Sequence, residues 1–187
     1  PTCWFQNPGL VGQAASLPWK KHALVPVTNN ESPQYLDGDG DGQRGLVYGD
    51  ASKRLTIARP QSNPLVEWKT THVSAPGDVN MVNFYHGLGI GDINKDGVND
   101  ILVPNGWWQG ITETTTDPWT FHPAPFGQPQ AQMYVYDFDA DGDNDVVGSS
   151  AHRRGIWWYE QIITRPADKS APSDSPSIPN PQSPIPN

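Results

Sequence analysis

The sequence YDFDADGDNDVVG, residues 136–148, places five aspartates within nine positions, between residues that favour β-strands. Carboxylates this close repel one another strongly unless a cation lies among them. Calcium takes about six to eight oxygen ligands and accepts carboxylate, amide and backbone carbonyl donors. A loop with ligands at positions 1, 3, 5, 7 (through its carbonyl) and 9, and with glycine at position 6 for the turn, can enclose this ion. The stretch therefore predicts a calcium loop between two strands.

Two earlier stretches repeat this pattern, so the chain has a first (37–45), a second (92–100) and a third (137–145) acidic loop. We expect up to three calcium ions, with the first site the weakest, because Gly45 stands where the other two loops have a ninth-position aspartate. The predicted ligands are Asp37, Asp39, Asp41 and the carbonyl of Gln43 in the first loop, Asp92, Asn94, Asp96, Asp100 and the carbonyl of Val98 in the second, and Asp137, Asp139, Asp141, Asp145 and the carbonyl of Asp143 in the third.

Each acidic loop belongs to a longer repeat that opens with a tryptophan followed three or four residues later by a histidine, at Trp19/His22, Trp68/His72 and Trp119/His122. The tryptophans are 49 and 51 residues apart. Within a repeat, short alternating or β-branched segments are broken by Gly, Pro, Asn and Asp, which favours strands joined by turns. Four strands in about 50 residues, repeated, predict an all-β fold of antiparallel β-propeller blades. A sandwich of irregular hairpins is the alternative.

The chain divides into a folded segment, residues 1–163, and a tail, residues 164–187. The stretch CWFQNPG, residues 3–9, resembles the closing strand WWYEQ, residues 157–161, so the segment is expected to hold one lone strand and three full repeats. Propellers close with about four to eight blades, which predicts self-association or further blades from elsewhere. The tail has seven prolines and five serines, and this composition predicts a disordered linker, with a donated strand or a glycosylated stalk as alternatives.

Composition excludes several classes of function. The net charge is −8, and eleven of the twenty acidic residues lie in the three acidic loops. No basic face is indicated, so we expect no nucleic-acid partner. No apolar run approaches the roughly 20 residues of a membrane span. Cys3 is the only cysteine, which excludes an intramolecular disulfide and leaves an incidental thiol or an intermolecular bridge.

Other calcium loops do not fit the pattern. An EF-hand has a bidentate glutamate at position 12 and flanking helices, whereas position 12 here is Tyr48, Val103 and Gly148 and the flanks are strand-like. A dockerin-type module also expects an acid at position 12 and a following helix.

The motif D-x-[DN]-x-D-G-x-x-D followed by a short apolar strand, together with the GWW and WWYEQ segments, resembles the FG-GAP/VCBS repeats of integrin-type β-propellers, over residues 1 to about 163. The resemblance implies an extracellular, cell-surface or periplasmic module with structural calcium, which binds carbohydrate or protein in adhesion or assembly. The family also includes lectins, polysaccharide lyases and a dehydratase. A carbohydrate lyase or dehydratase and a self-assembling structural or filament subunit are therefore the alternatives.

The histidines are the only hint of catalysis. His22, His72 and His122 occupy corresponding repeat positions, which favours packing or a repeated hydrogen bond. His86 and His152 fall outside that pattern and are weak candidates for a general base. No catalytic spacing accompanies them, so the sequence favours a non-enzymatic function and leaves catalysis open. In the pairs Trp107/Trp108 and Trp157/Trp158, one ring is expected to pack between blades and the other to face outward or toward a loop.

Overall fold

The computed structural model describes residues 2–9, 17–112 and 117–162, which form thirteen β-strands. This part of the chain contains no helix suited to crossing a membrane. The predicted tail lies outside the described residues. The strands are β1 (Thr2–Gln6), β2 (Lys20–Val25), β3 (Gln34–Leu36), β4 (Gly45–Gly49), β5 (Leu55–Arg59), β6 (Lys69–His72), β7 (Gly89–Gly91), β8 (Asp100–Val103), β9 (Gly106–Trp108), β10 (Phe121–Pro123), β11 (Gln130–Tyr136), β12 (Asp145–Ser150) and β13 (Ile156–Tyr159).

The strands form four antiparallel sheets in which neighbours in sequence are neighbours in space. Sheet I contains β1 and β2, sheet II contains β3 to β6, sheet III contains β7 to β10, and sheet IV contains β11 to β13. The all-β prediction is confirmed. Sheets II and III have the predicted four strands, and none of the four sheets is closed.

The predicted grouping of strands was wrong in its boundaries. One lone strand and three full repeats also require thirteen strands, but the described chain divides them into sheets of two, four, four and three. The histidine segments were expected to open each repeat, yet β2, β6 and β10 pair backward with β1, β5 and β9. A repeating sequence does not show which residue begins a structural repeat. Only the hydrogen-bonded pairing of the strands shows where one sheet ends.

The sheets pack face to face in chain order, because alternate residues of the middle strands face opposite neighbours. In β4, Leu46 and Tyr48 pack toward sheet I whereas Val47 packs toward sheet III. In β8, Ile101 packs toward sheet II and Leu102 toward sheet IV. Both faces of sheets II and III are thus covered, and this is why their middle strands are buried along almost their whole length.

Glycines allow the first strands of sheets III and IV to approach closely. A Cβ at Gly89 would lie 2.8 Å from the Cβ of Met133, and one at Gly91 would lie 2.6 Å from the Cβ of Val135. Real Cβ atoms do not approach so closely, so β7 and β11 can pack together only because β7 reads Gly-Ile-Gly.

Candidate functional site

The three acidic loops lie at one end of the stacked sheets. Each joins the first strand of a sheet to the second, between β3 and β4, between β7 and β8, and between β11 and β12. Since these connections occupy the same place in sheets II, III and IV, the loops are neighbours in space as well as repeats in sequence.

The loops share one backbone conformation. The glycine predicted at position 6 has a positive φ in all three, as the sharp turn requires. The backbone at position 4 also has a positive φ in all three loops. The sequence pattern did not predict this, because two of the three residues at that position are not glycine. The φ values are 76°, 58° and 63° at Gly40, Lys95 and Ala140, and 84°, 88° and 99° at Gly42, Gly97 and Gly142.

The first-position carboxylates organise these turns. Asp37 accepts hydrogen bonds from the backbone N–H groups of Gly40 (2.9 Å) and Gly42 (2.8 Å). The position-6 N–H donates in the same way to Asp92 (2.8 Å) and to Asp137 (3.1 Å). The fifth-position carboxylate in turn accepts from the N–H of position 7, with distances of 2.7, 2.9 and 2.8 Å in the three loops. The loop shape is therefore set by its own acceptors.

Predicted ligands at positions 1, 3 and 5 come together. In the first loop and in the third loop, carboxylate oxygens from these positions lie within 4.8 Å of one another. In the second loop, Asn94 takes position 3 and its Nδ2 donates to Asp96 at 2.9 Å. Clustered oxygen donors of this kind could hold a metal ion in the first and third loops.

The ninth-position aspartates also accept backbone hydrogen bonds, a structural role that the sequence did not predict. Asp100 is fully buried, and its two oxygens accept hydrogen bonds from the N–H groups of Ile93 (2.9 Å) and Gly110 (2.8 Å). Asp145 accepts in the same way from Phe138 (3.2 Å) and Gln161 (2.9 Å). Each carboxylate thus ties its acidic loop to the residues that follow the third strand. A carboxylate has about four lone-pair sites, so both can still ligate a cation.

Burial makes the charge of Asp100 costly. Burial, with smaller contributions from the charges of Asp96 and Asp92, raises the pKa of Asp100 to about 6, against the lowering effect of the Gly110 and Ile93 hydrogen bonds. A cation among these carboxylates would favour the ionised form.

Neighbouring loops are joined by side-chain contacts. The position-8 asparagine, Asn99, donates its amide to the carbonyl oxygen of Asp37 at 3.0 Å, and Asn144 donates to the carbonyl oxygen of Asp92. Lys95 donates to the carbonyl of Gly142, and its Nζ lies 3.7 Å from an Asp137 carboxylate oxygen. The signal for the asparagine contact was present in sequence, as the dipeptide Asn-Asp that closes the second and third loops.

The first loop lies beside an arginine from its own sheet, whereas the cation beside the third loop is Lys95 of the second loop. Arg59, the last residue of β5, forms an ion pair with Asp39, and its Nε lies 3.8 Å from an Asp41 carboxylate oxygen. The positive charge of Arg59 therefore lies next to the carboxylates of two predicted calcium ligands.

The two histidines singled out as weak candidates lie together at the opposite end of the sheets. The rings of His86 and His152 are in edge-to-face contact with centroids 4.4 Å apart, and His86 Nε2 lies 3.2 Å from a Glu31 carboxylate oxygen. These residues come from three separate connections, before β3, before β7 and between β12 and β13. Burial raises the pKa of the adjacent Tyr85, whose carbonyl accepts a hydrogen bond from the Glu31 N–H at 2.9 Å.

An open depression of about 510 Å³ lies beside this histidine cluster. Its wall includes Phe84, which is 72% exposed and has a φ of 60°, an unusual conformation for an aromatic residue. The buried side-chain amide of Asn29, also in the wall, has no hydrogen-bond partner among the described residues. Strain and unsatisfied polar groups of this kind are typical of binding surfaces.

The packing prediction for the repeated histidines is confirmed at two of the three. His22 stacks on Trp4 and His122 stacks on Trp107, with centroids 4.6 and 4.2 Å apart. Each imidazole also hydrogen-bonds the glutamine two residues after its tryptophan, at 3.0 and 3.1 Å.

His72 was wrongly placed at the corresponding position. It follows its tryptophan by four residues instead of three, pairs across from Thr56 and lies 3.3 Å from that hydroxyl. Burial lowers its pKa, and the charge of Arg54 lowers it further.

The rings of each tryptophan pair lie on opposite faces, as predicted. Trp108 is 2% exposed in the core between sheets II and III. Trp107 was expected to face outward or toward a loop, but it packs against the cluster between sheets III and IV and stacks on His122. In β13, Trp158 is 51% exposed whereas Trp157 is half-buried.

Comparison with family models, with curated proteins and with solved structures found no match.

Proposed function

We propose that this chain is a calcium-binding β-propeller module of the FG-GAP/VCBS type that works outside the cell, at its surface or in the periplasm, and binds carbohydrate or protein in adhesion or assembly. One observation carries the proposal. The same acidic loop, with the same glycine turn, recurs at one end of three stacked sheets. The meander order of the strands and the burial of both faces of sheets II and III support the propeller arrangement.

Calcium in this proposal is structural. It neutralises the repulsion between the carboxylates of a loop. It also fixes the first position of the loop, whose backbone carbonyl accepts a hydrogen bond from the neighbouring loop. A ligand that binds only the folded state, at about 100 times its Kd, adds about 2.7 kcal/mol of stability. For a domain of this size, that corresponds to a rise in Tm of roughly 5–10 °C for each such site.

The test is thermal unfolding before and after chelation. EDTA should lower the Tm by this amount for each site, and added calcium should restore it. Magnesium should restore less, because it demands a stricter octahedral geometry. A Tm that EDTA leaves unchanged contradicts the proposal.

The ligand-binding surface in this proposal is the end that carries Phe84. An exposed aromatic ring beside amide and carboxylate groups suits a sugar ring, which offers an apolar face and polar edges. Calorimetry with a panel of oligosaccharides should show binding that Phe84→Ala abolishes. Val66→Ala, an exposed change in the connection between β5 and β6, should leave binding intact. Binding that survives Phe84→Ala would contradict this placement.

A lyase or dehydratase is the second candidate, favoured by the contact of His86 with Glu31 and His152. A histidine held by a carboxylate is a common arrangement for a general base. Polymers that contain uronic acids should then yield unsaturated products, which absorb in the ultraviolet, and His86→Ala should abolish the product. A chain that binds such polymers and leaves them intact would exclude this candidate.

Self-assembly is the third candidate, favoured by the outer edges of the sheet stack. In the described chain, β1 pairs only with β2 and β13 pairs only with β12, and unpaired edges can recruit further strands. Ile156 and Trp158 of β13 are 75% and 51% exposed. Light scattering should show an oligomer that Trp158→Lys reduces to a monomer. A wild-type monomer at high concentration would exclude this candidate.

A further inference from the structure

We propose that the guanidinium of Arg59 replaces calcium in the first acidic loop, so that this loop holds no metal ion and needs none. The inference rests on the proposed function for the other two loops, and it changes the number of calcium ions from three to two. It also names the residue that makes the difference.

Arg59 is placed to act as a fixed counter-ion. Its side chain is only 14% exposed, and the carboxylate of Asp39 with which it pairs is 18% exposed. Its Nε lies 3.8 Å from an oxygen of Asp41. These aspartates are positions 3 and 5 of the loop, so a single guanidinium lies against two carboxylates that a calcium ion would need. A divalent ion bound there would be repelled by the positive charge beside it.

The backbone of the first loop leaves no space for the missing ninth carboxylate. A Cβ at Gly45 would lie 2.9 Å from the carbonyl oxygen of Ala58 and 3.0 Å from Cγ of Arg59 itself. The stem of the arginine therefore passes beside the position from which an aspartate side chain would start. The glycine at position 9 therefore provides the space that the arginine on the facing strand occupies.

The other two loops have no cation at the matching place in their own sheets. Lys95, which lies 3.7 Å from an Asp137 oxygen of the third loop, belongs to the second loop, and its side chain is 41% exposed. The pairs Leu46/Ala58, Ile101/Trp108 and Val146/Tyr159 occupy the same register in sheets II, III and IV. The residue after the second member of each pair is Arg59, Gln109 and Glu160. The loop without a ninth-position aspartate thus has arginine, and the loops with that aspartate have a neutral or an acidic residue. Gln109 lies by its own loop as well, with Nε2 3.3 Å from an Asp96 oxygen.

The experiment counts bound calcium on the full chain, by calorimetry and by elemental analysis after gel filtration. The wild type should bind two ions. Arg59→Gln, which introduces the residue found at this place in sheet III, should bind a third ion with lower affinity. Arg44→Gln removes the same charge from an exposed position in the same loop, and it should still bind two. Three ions in the wild type, or two in a folded Arg59→Gln chain, would overturn the inference.

A second pair of variants tests the inference even if Arg59→Gln fails to fold. Asp39→Asn and Asp139→Asn change position 3 of the first and the third loop. Asp139→Asn should weaken or remove one calcium ion, whereas Asp39→Asn should leave the count at two. A lower count in Asp39→Asn would show that the first loop binds calcium and would overturn the inference.

Failure of the proposed function gives a different result, since the wild type would then bind no calcium at all. Melting in EDTA still tests the role of Arg59 in that case. Arg59→Gln should melt several degrees below Arg44→Gln in EDTA, because it leaves the carboxylates of Asp39 and Asp41 without their counter-ion. Equal Tm values for the two variants would overturn the role of Arg59 as the internal cation.

Discussion

Asn144 donates its side-chain amide to the carbonyl oxygen of Asp92, and so joins the third acidic loop to the first ligand position of the second. Asn99 makes the equivalent hydrogen bond to the carbonyl oxygen of Asp37. The loops are therefore linked in series, and a change in one should reach its neighbour.

Replacing Asn99 or Asn144 by alanine should destabilise the chain by about 1–2 kcal/mol each, because a half-buried carbonyl loses its donor. Chemical denaturation measures the loss. Asn83→Ala, on an exposed residue, is the control and should change stability by less than about 0.5 kcal/mol. Equal effects of all three changes would show that the hydrogen bonds between loops do not contribute to the free energy of unfolding.

Asp100→Asn should destabilise the chain by about 1–3 kcal/mol even in EDTA. An asparagine amide would turn an N–H donor toward the N–H of Ile93 or Gly110, where the aspartate now accepts from both. Asp96→Asn, an exposed change in the same loop, should cost less than about 1 kcal/mol under those conditions. Unfolding of both variants in EDTA separates this hydrogen-bonding role from any role in binding metal, and equal losses would refute it.

The chain should lose stability at alkaline pH through Tyr48. Burial, with a smaller contribution from the charge of Asp50, raises the pKa of Tyr48 from 10.0 to about 12. The unfolded chain therefore releases this proton first, so the contribution is complete below pH 10 and is lost as the pH rises toward 12. At pH 11 the expected loss is about 1 kcal/mol.

Denaturation of the wild type and of Tyr48→Phe at pH 8 and pH 11 checks this prediction. The variant should lose less stability than the wild type between the two pH values. Tyr136→Phe, on an exposed tyrosine, should behave like the wild type. An identical loss in the wild type and in Tyr48→Phe would contradict the assignment.

Gly91→Ala should destabilise the chain by about 1–3 kcal/mol, because the added methyl group would lie 2.6 Å from the Cβ of Val135. Adding Val135→Ala should recover part of this loss, since it removes the two Cγ atoms that face the new methyl group. A double-mutant cycle gives the coupling between the two positions. Strictly additive effects would show that β7 and β11 do not meet as described.

The acidic loops were predictable because their signal is local. A glycine at position 6 and carboxylates at alternate positions act within nine residues, and the turn then forms with the expected positive φ. The short strands were predictable for the same reason. Gly45 could be read as a missing ligand, but its partner Arg59 lies fourteen residues further along the chain, on another strand, and no local pattern joins the two.

By itself, the sequence determined the all-β class and the positions of three acidic loops, since both depend on residues close together in the chain. Only the tertiary structure decided where one sheet ends and the next begins, because a repeat has no preferred starting point until strands pair. It also brought together His86, His152 and Glu31 from three connections, and Arg59 with Asp39. These contacts depend on how the sheets stack and on how strands pair within them. Neither can be predicted from residues that are close together in the sequence.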